Sequence, residues 1–228
     1  MRVHWLQHAE FEDLGCIGPW LAERDHAVRG TRLYAGEPLP ALEDFDALIA
    51  MGGPMNIYEY SRHPWLRAEK NLIRAAIDGG RLVLGICLGA QLIADVLGGR
   101  VTRNAEPEIG WFEVELTAAG GGCRWFIDLP ERFTAFHWHS DTYALPPGAE
   151  NLARSRACAQ QAFAWGERVL GLQFHLEVTR ANAEEWFRHE RPEPARYVQT
   201  PEEILAQTQA FDDNHRWMRA ILARFLAD

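Results

Sequence analysis

The feature that most constrains the fold lies at residues 81–99. Arg81-Leu82-Val83-Leu84 is a short apolar run suited to a buried strand, and GICLGAQ follows at once at residues 85–91. Leu88, Leu92, Ile93, Val96 and Leu97 then share one face of a helix that Gly98-Gly99 can end. A buried strand turning directly into an amphipathic helix is the building unit of a parallel sheet covered by helices. The cysteine of the turn, Cys87, is raised above the sheet at the helix N-terminus, where partial positive charge favours thiolate over thiol. Its flanking glycines, Gly85 and Gly89, allow a sharp turn and the close approach of a substrate. Free cysteine is also among the most buried residue types, so the corner alone leaves a nucleophile and a core side chain about equally matched.

The rest of the chain extends the same alternation. Residues 3–6, 31–34 and 47–51 read as strands, residues 14–23 as a first helix. Trp65, Leu66, Leu72, Ile73, Ala76 and Ile77 lie on a helical face that Gly79-Gly80 stops. Beyond Gly99 the pattern changes to closely spaced strands at about 111–116, 134–138, 151–155, 162–165 and 169–174, which predicts antiparallel pieces at a sheet edge. Residues 179–189 read as helical. Thr200-Pro201-Glu202-Glu203 is a capping box with proline at the first helical position. It opens a final helix whose apolar face is Ile204, Leu205, Thr208, Phe211, Met218, Ile221, Leu222 and Phe225, expected to pack on the domain. With 228 residues and no linker-like tract, the expectation is one domain, residues 1–190, with residues 191–228 as its C-terminal helical extension.

Charge and cysteine usage narrow the function classes. A net charge of −9, with basic residues scattered among acidic ones, argues against a nucleic-acid footprint. No leader-like N-terminus or membrane-length apolar run is evident, so the expectation is a cytoplasmic protein without a membrane partner. Cys16, Cys87, Cys123 and Cys158 are widely spaced without a CxxC pair, which indicates neither a zinc knuckle nor a disulfide framework. The oligomeric state is open, a homo-oligomer included.

A cysteine nucleophile needs a base, and the base needs a group to hold its tautomer. QFHLE at residues 173–177 offers the pair: on a strand, His175 and Glu177 project from one face, so the carboxylate can hold one imidazole nitrogen while the other meets the thiol. Met51-Gly52-Gly53-Pro54-Met55 supplies a glycine turn after a strand, where the Gly53 amide could join that of Leu88 in stabilising an oxyanion. Each element alone is weak.

Together, and in this order, the strand-GGP, GICLGAQ and QFHxE elements resemble class I glutamine amidotransferases over about residues 3–185. The resemblance implies a flavodoxin-like, mostly parallel sheet with helices on both faces. It implies Cys87 as nucleophile, His175 as general base and acid, Glu177 as orienting carboxylate, and the Gly53 and Leu88 amides as oxyanion hole. It also implies substrate contacts from Gln91 and from the loop carrying Trp138, His139, Ser140 and Asp141. No cofactor and no metal are implied. Leu176 departs from the family's usual proline beside the pair, a change that should leave their alternation intact.

The expected activity is therefore hydrolysis of glutamine or a γ-glutamyl amide through a γ-glutamyl thioester. The sequence resembles the stand-alone branch similar to GMP-synthase amidotransferases. Its members include γ-glutamyl peptidases, which need no ammonia acceptor, whereas glutamine hydrolysis calls for a separate synthetase subunit. Two other readings compete. His137, His139 and Asp141 form an HxHxD set that His175 and Glu177 could complete as a metal-dependent hydrolase. The fold could also be kept by a non-catalytic binding protein, which the intact Cys, His and Glu argue against.

Overall fold

The computed structural model describes residues 1–227. Among them the strands are β1 (Arg2–Gln7), β2 (Ala27–Arg32), β3 (Ala47–Ala50), β4 (Leu82–Ile86), β5 (Val101–Leu116), β6 (Arg132–Tyr143), β7 (Ala149–Ser155), β8 (Ala162–Trp165) and β9 (Val169–Leu172). The helices are α1 (Ile17–Ala22), α2 (Trp65–Asp78), α3 (Leu88–Val96), α4 (Ala118–Gly122), α5 (Arg180–His189), α6 (Pro201–Ala206) and α7 (Thr208–Phe225). One sheet runs in the order β2-β1-β3-β4-β9-β8-β7-β5-β6. Its first half, from β2 to β9, is parallel. From β9 to β6 every pairing is antiparallel, so the antiparallel part extends over half of the sheet.

Alternation along the central strands builds an α/β core with helices on both faces. Val3, Ala47, Ile49, Leu82 and Leu84 point to one side and pack with Ile17 and Trp20 of α1 and Met218 and Ile221 of α7. Leu6, Leu48, Ala50 and Val83 point to the other and pack with Ile73 of α2 and Leu92 and Ile93 of α3. A third cluster joins Trp111 and Phe136 of β5 and β6 to Trp186, Ile204 and Phe211 of α5, α6 and α7.

Several elements differ from the sequence expectation for identifiable reasons. β2 begins at Ala27, not at 31, because it is an exposed edge strand with almost no alternation to read. β5 runs ten residues further toward the N-terminus than the apolar segment 111–116, since its early part is polar and shifts register between Arg103 and Glu108, around Pro107. The final helix is two helices. Gln207 leaves helical geometry at ψ 64°, and tertiary donors take the carbonyls that a continuous helix would use: the Trp111 indole donates to the Ile204 oxygen at 3.0 Å and Arg180 to that of Leu205 at 2.6 Å.

Candidate active site

The corner at Cys87 sits at the carboxyl end of β4, where open α/β sheets bind ligands. Its backbone adopts φ 49° and ψ −104°, a left-handed setting that costs a non-glycine residue on the order of 1–3 kcal/mol. The Cys87 amide donates to the Leu172 oxygen at 2.7 Å, and that of Gly89 to the Met51 oxygen at 3.1 Å. The strained residue is thus the cysteine, not the glycines beside it. Those glycines permit close packing: a Cβ on Gly89 would meet the Ala50 oxygen at 2.0 Å, and one on Gly85 would meet the Gly89 carbonyl carbon at 2.5 Å.

His175 and Glu177 are buried beside this corner, and Nδ1 of the imidazole lies 2.7 Å from the carboxylate Oε1. They are not on a strand, as the sequence suggested. β9 ends at Leu172 because the turn at Cys87 takes its neighbour β4 away, and residues 173–177 continue as an irregular segment. It is held by the Gln173 amide on the Gln161 oxygen and the His175 amide on the Phe136 oxygen, both at 2.8 Å. Burial opposes the imidazolium, but the charge of Glu177 and hydrogen bonds with Cys87 and Glu177 outweigh it, holding the His175 pKa well above its ordinary value. The thiol also lies 3.6 Å from Nε2 of Gln173 and 3.7 Å from the Trp138 oxygen.

The Gly52-Gly53 turn is anchored from below by a pair absent from the sequence expectation. His8, just past β1, places Nδ1 2.8 Å from the Gly52 oxygen and Nε2 2.7 Å from Oε1 of Glu69 on α2. Burial lowers the His8 pKa, yet the charge and hydrogen bond of Glu69 and the bond to Gly52 raise it overall, the ring lying between two acceptors. The peptide is trans and planar, so an oxygen turned toward His8 turns the Gly53 N–H the opposite way.

Two cavities meet at Cys87. One, of about 540 Å³, is lined by Gly53, Leu88, Gln91, Trp138, His139, Ser140 and Asp141, so the expected oxyanion and substrate residues converge on one space. The other, of about 220 Å³, is lined by Phe11, Glu12, Trp138, His175, Trp186 and Glu190. Gln91 also has a structural engagement: its amide donates to Oε1 of Gln173 at 3.1 Å. Glu12 is 9% exposed. Burial, opposed by the charges of His175 and His8, pushes its carboxyl up to about 7.

The candidate metal set is regrouped. His137 and His139 group with the Glu108 carboxylate, donor atoms within 4.8 Å of one another, whereas Asp141 offers His139 only its backbone oxygen, 3.0 Å from Nδ1. Glu108 also accepts from Ser155 at 3.0 Å and Gln161 at 2.6 Å. Asp141 instead accepts from Asn56 at 2.6 Å, and His175 and Glu177 pair with each other. The register bulge in β5 brings Glu108 opposite His139, which spacing alone does not reveal.

Sequence reasoning missed His8, Glu12, Glu69 and Gln173. The first two carried a usable signal: they directly follow β1, at the same sheet end as the GGP turn and Cys87. Glu69 carried a weaker one: it falls with Leu66, Ile73 and Ala76 on the buried face of α2, where a carboxylate needs a partner, but nothing in the spacing names His8 as that partner.

The geometry agrees with relationships across the whole chain. Residues 23–190 match the family model described as glutamine amidotransferase class-I. The chain is 35% identical to the glutamine amidotransferase-like protein YfeJ of Salmonella typhimurium, covering 99% of this chain and 96% of that one. It is also 35% identical to one of the subunits of the glutamine-hydrolyzing GMP synthase of Sulfurisphaera tokodaii, over 62% of this chain and 72% of the relative. A solved glutamine amidotransferase from Thermotoga maritima superposes with a TM-score of 0.91 at 31% identity, covering 100% of this chain and 99% of that one. The chain belongs to the class I glutamine amidotransferase family.

Proposed function

We propose that this protein hydrolyses glutamine or γ-glutamyl amides through a γ-glutamyl thioester on Cys87. The observation that carries the reading is the contiguity of the Cys87 thiol, His175 and Glu177 at a strained corner facing the Gly52-Gly53 turn. In this reading His175 takes the thiol proton as sulfur attacks the γ-carbonyl carbon, and Glu177 fixes the tautomer. The Gly53 and Leu88 amides receive the oxyanion. Collapse breaks the C–N bond, with the proton passing from His175 to the departing nitrogen. Water then attacks the thioester with His175 as base, releasing glutamate and restoring the thiol. Gln91, Trp138, His139 and Ser140 line the space for the γ-glutamyl group.

The test is mass spectrometry of protein quenched with glutamine and with γ-glutamyl amides, alongside release of glutamate and of ammonia or amine. A γ-glutamyl adduct on Cys87 is expected, and Cys87→Ala should remove both adduct and turnover. Turnover that survives Cys87→Ala, or no glutamate from any of these substrates, overturns the reading. Exhaustive chelation should leave turnover unchanged; its loss would favour the Glu108, His137 and His139 cluster as a metal centre.

A second reading, γ-glutamyl peptidase chemistry without ammonia transfer, is favoured by the cavity of about 220 Å³ on the His175 side, which exceeds what ammonia requires. A glutaminase role would instead be served by a separate synthetase subunit, as the relative named for its place in a GMP synthase suggests. Higher kcat/KM for free glutamine than for γ-glutamyl amides would decide for the glutaminase. The four free cysteines accord with a cytoplasmic setting.

A further inference from the structure

The two cavities at Cys87 differ in one respect that assigns their roles. His175 lines the smaller and not the larger, while Gln91, Ser140 and Asp141 line the larger and not the smaller. The amine expelled as the thioester forms must receive its proton from His175, so it lies on the His175 side. The acyl group then occupies the larger space. This assignment rests on the thioester reading above.

The walls of the smaller cavity are aromatic and acidic. Trp138 and Trp186 meet edge to face with ring centroids 5.5 Å apart. Trp186 in turn lies 5.1 Å from the His175 ring. Phe11 completes the apolar wall and is held in place by the Trp186 indole, which donates to its backbone oxygen at 3.0 Å. Two carboxyl groups line this cavity, Glu12 buried within it and Glu190 at its exposed edge. Glu190, exposed at the mouth that the two cavities share, accepts from the Trp138 indole at 3.1 Å and keeps an oxygen for another donor. Glu12 is the more informative, for among the described residues its carboxylate has neither a hydrogen bond nor an ion pair, although it is 9% exposed. A buried carboxylate without a donor is costly, and a ligand bearing a cationic donor would remove that cost.

We infer that the leaving group of the natural substrate is an amine carrying a second, positively charged nitrogen, which the Glu12 and Glu190 carboxylates and the Trp138 and Trp186 rings receive. Aromatic faces attract ammonium groups, and carboxylates pair with them. An anionic leaving group, such as an amino acid, would set its carboxylate against Glu12 and Glu190. The reaction balances without a co-reactant: sulfur bonds to the γ-carbonyl carbon as the C–N bond breaks, and the thiol proton leaves on the amine by way of His175. Water then forms the C–O bond, the C–S bond breaks and the proton returns to sulfur.

Glu12 makes the preference sensitive to pH. The groups facing it are His8 past β1, His175 and Glu177 past β9, and Glu190 past α5. His189 stands at the rim, stacked on Phe11 at 4.1 Å and paired with Glu185 at 3.1 Å. With the carboxyl pushed up to about 7, selectivity for a cation should grow as pH rises through that value.

The experiment compares kcat/KM of the full chain for γ-glutamylputrescine, γ-glutamylpentylamine, which replaces the distal ammonium by methyl, γ-glutamylglycine and free glutamine. The expected ratio of putrescine to pentylamine derivative is on the order of 10-fold or more, the scale of a desolvated cation contact. That ratio, which cancels general damage to the enzyme, should fall toward unity in Glu12→Gln and in Glu190→Gln and increase with pH. Equal or lower kcat/KM for the cationic amide, or an unchanged ratio in both variants, overturns the inference while leaving the thioester reading intact. Absence of glutamate from all four compounds overturns both.

Discussion

A carboxyl group buried without a partner, as Glu12 is, leaves a signature in stability as well as in selectivity. Its folded-state value is about 7 against an ordinary 4.5, so the folded protein holds the proton more tightly than the unfolded chain does. The associated stabilisation is fully present below about 4.5 and is lost as pH rises through about 7. Glu12→Gln should therefore melt at a higher temperature than the wild type at pH ~8, with the difference closing at pH ~4. A difference independent of pH would contradict the assignment. His8 and Glu69 make a separate prediction about rate. If their pair fixes the Gly52 oxygen, Glu69→Gln loosens the turn without touching Cys87 or His175. The expected result is a fall in kcat, smaller than the roughly 10²–10³-fold loss of a whole oxyanion donor, with KM little changed. A change confined to KM would assign the pair to binding instead.

At the scale of elements, the corner between β4 and α3 is defined by clearance. Gly89 touches the backbone of Ala50, which cannot move aside as a side chain could, so Gly89→Ala must lift α3 from β3. Overpacking of this kind costs about 1–3 kcal/mol, and urea unfolding should report it together with loss of turnover. Gly121→Ala in α4, where an added Cβ meets nothing within 4 Å, should be neutral or slightly stabilising by the same measurement. Legibility follows the same lines. Strands β3 and β4 could be read because burial on both faces leaves a short continuous apolar run, and the face of α2 because burial on one side imposes a period on the residues themselves. The Cys87, His175 and Glu177 constellation could be read because its residue types are chemically few. What could not be read depends on partners far along the chain: the α6–α7 break on Trp111 and Arg180, the Glu108 cluster on a bulge, and the Gly52 anchor on a glutamate in α2. Even the His175–Glu177 pairing, expected from strand alternation, is achieved in a segment that has left the strand.

Across the whole molecule, the C-terminal segment connects with the site through the last strand of the sheet. β6 is an edge strand, and its outward-facing backbone groups at residues 134–136 are occupied from elsewhere. Asn214 of α7, 1% exposed, accepts from the Phe136 amide at 3.1 Å and donates to the Thr134 oxygen at 2.8 Å. The Phe136 oxygen takes the His175 amide, and His215 meets the Val178 oxygen at 3.0 Å. One turn after another, α7 buries Met218, Ile221, Leu222 and Phe225 against the same sheet face as α1. Each such side chain contributes roughly 1.5–3 kcal/mol on burial, and their combined effect is comparable with the net stability of a domain, roughly 5–15 kcal/mol. Removing residues 191–228 should therefore leave a chain that does not fold cooperatively. Asn214→Ala asks the finer question: it leaves the Phe136 amide and Thr134 oxygen without partners, at about 1–3 kcal/mol for a buried group. If α7 steadies the His175 segment, that variant should lose kcat at temperatures well below its own melting point. Full activity up to the melting transition would confine α7 to a role in stability alone.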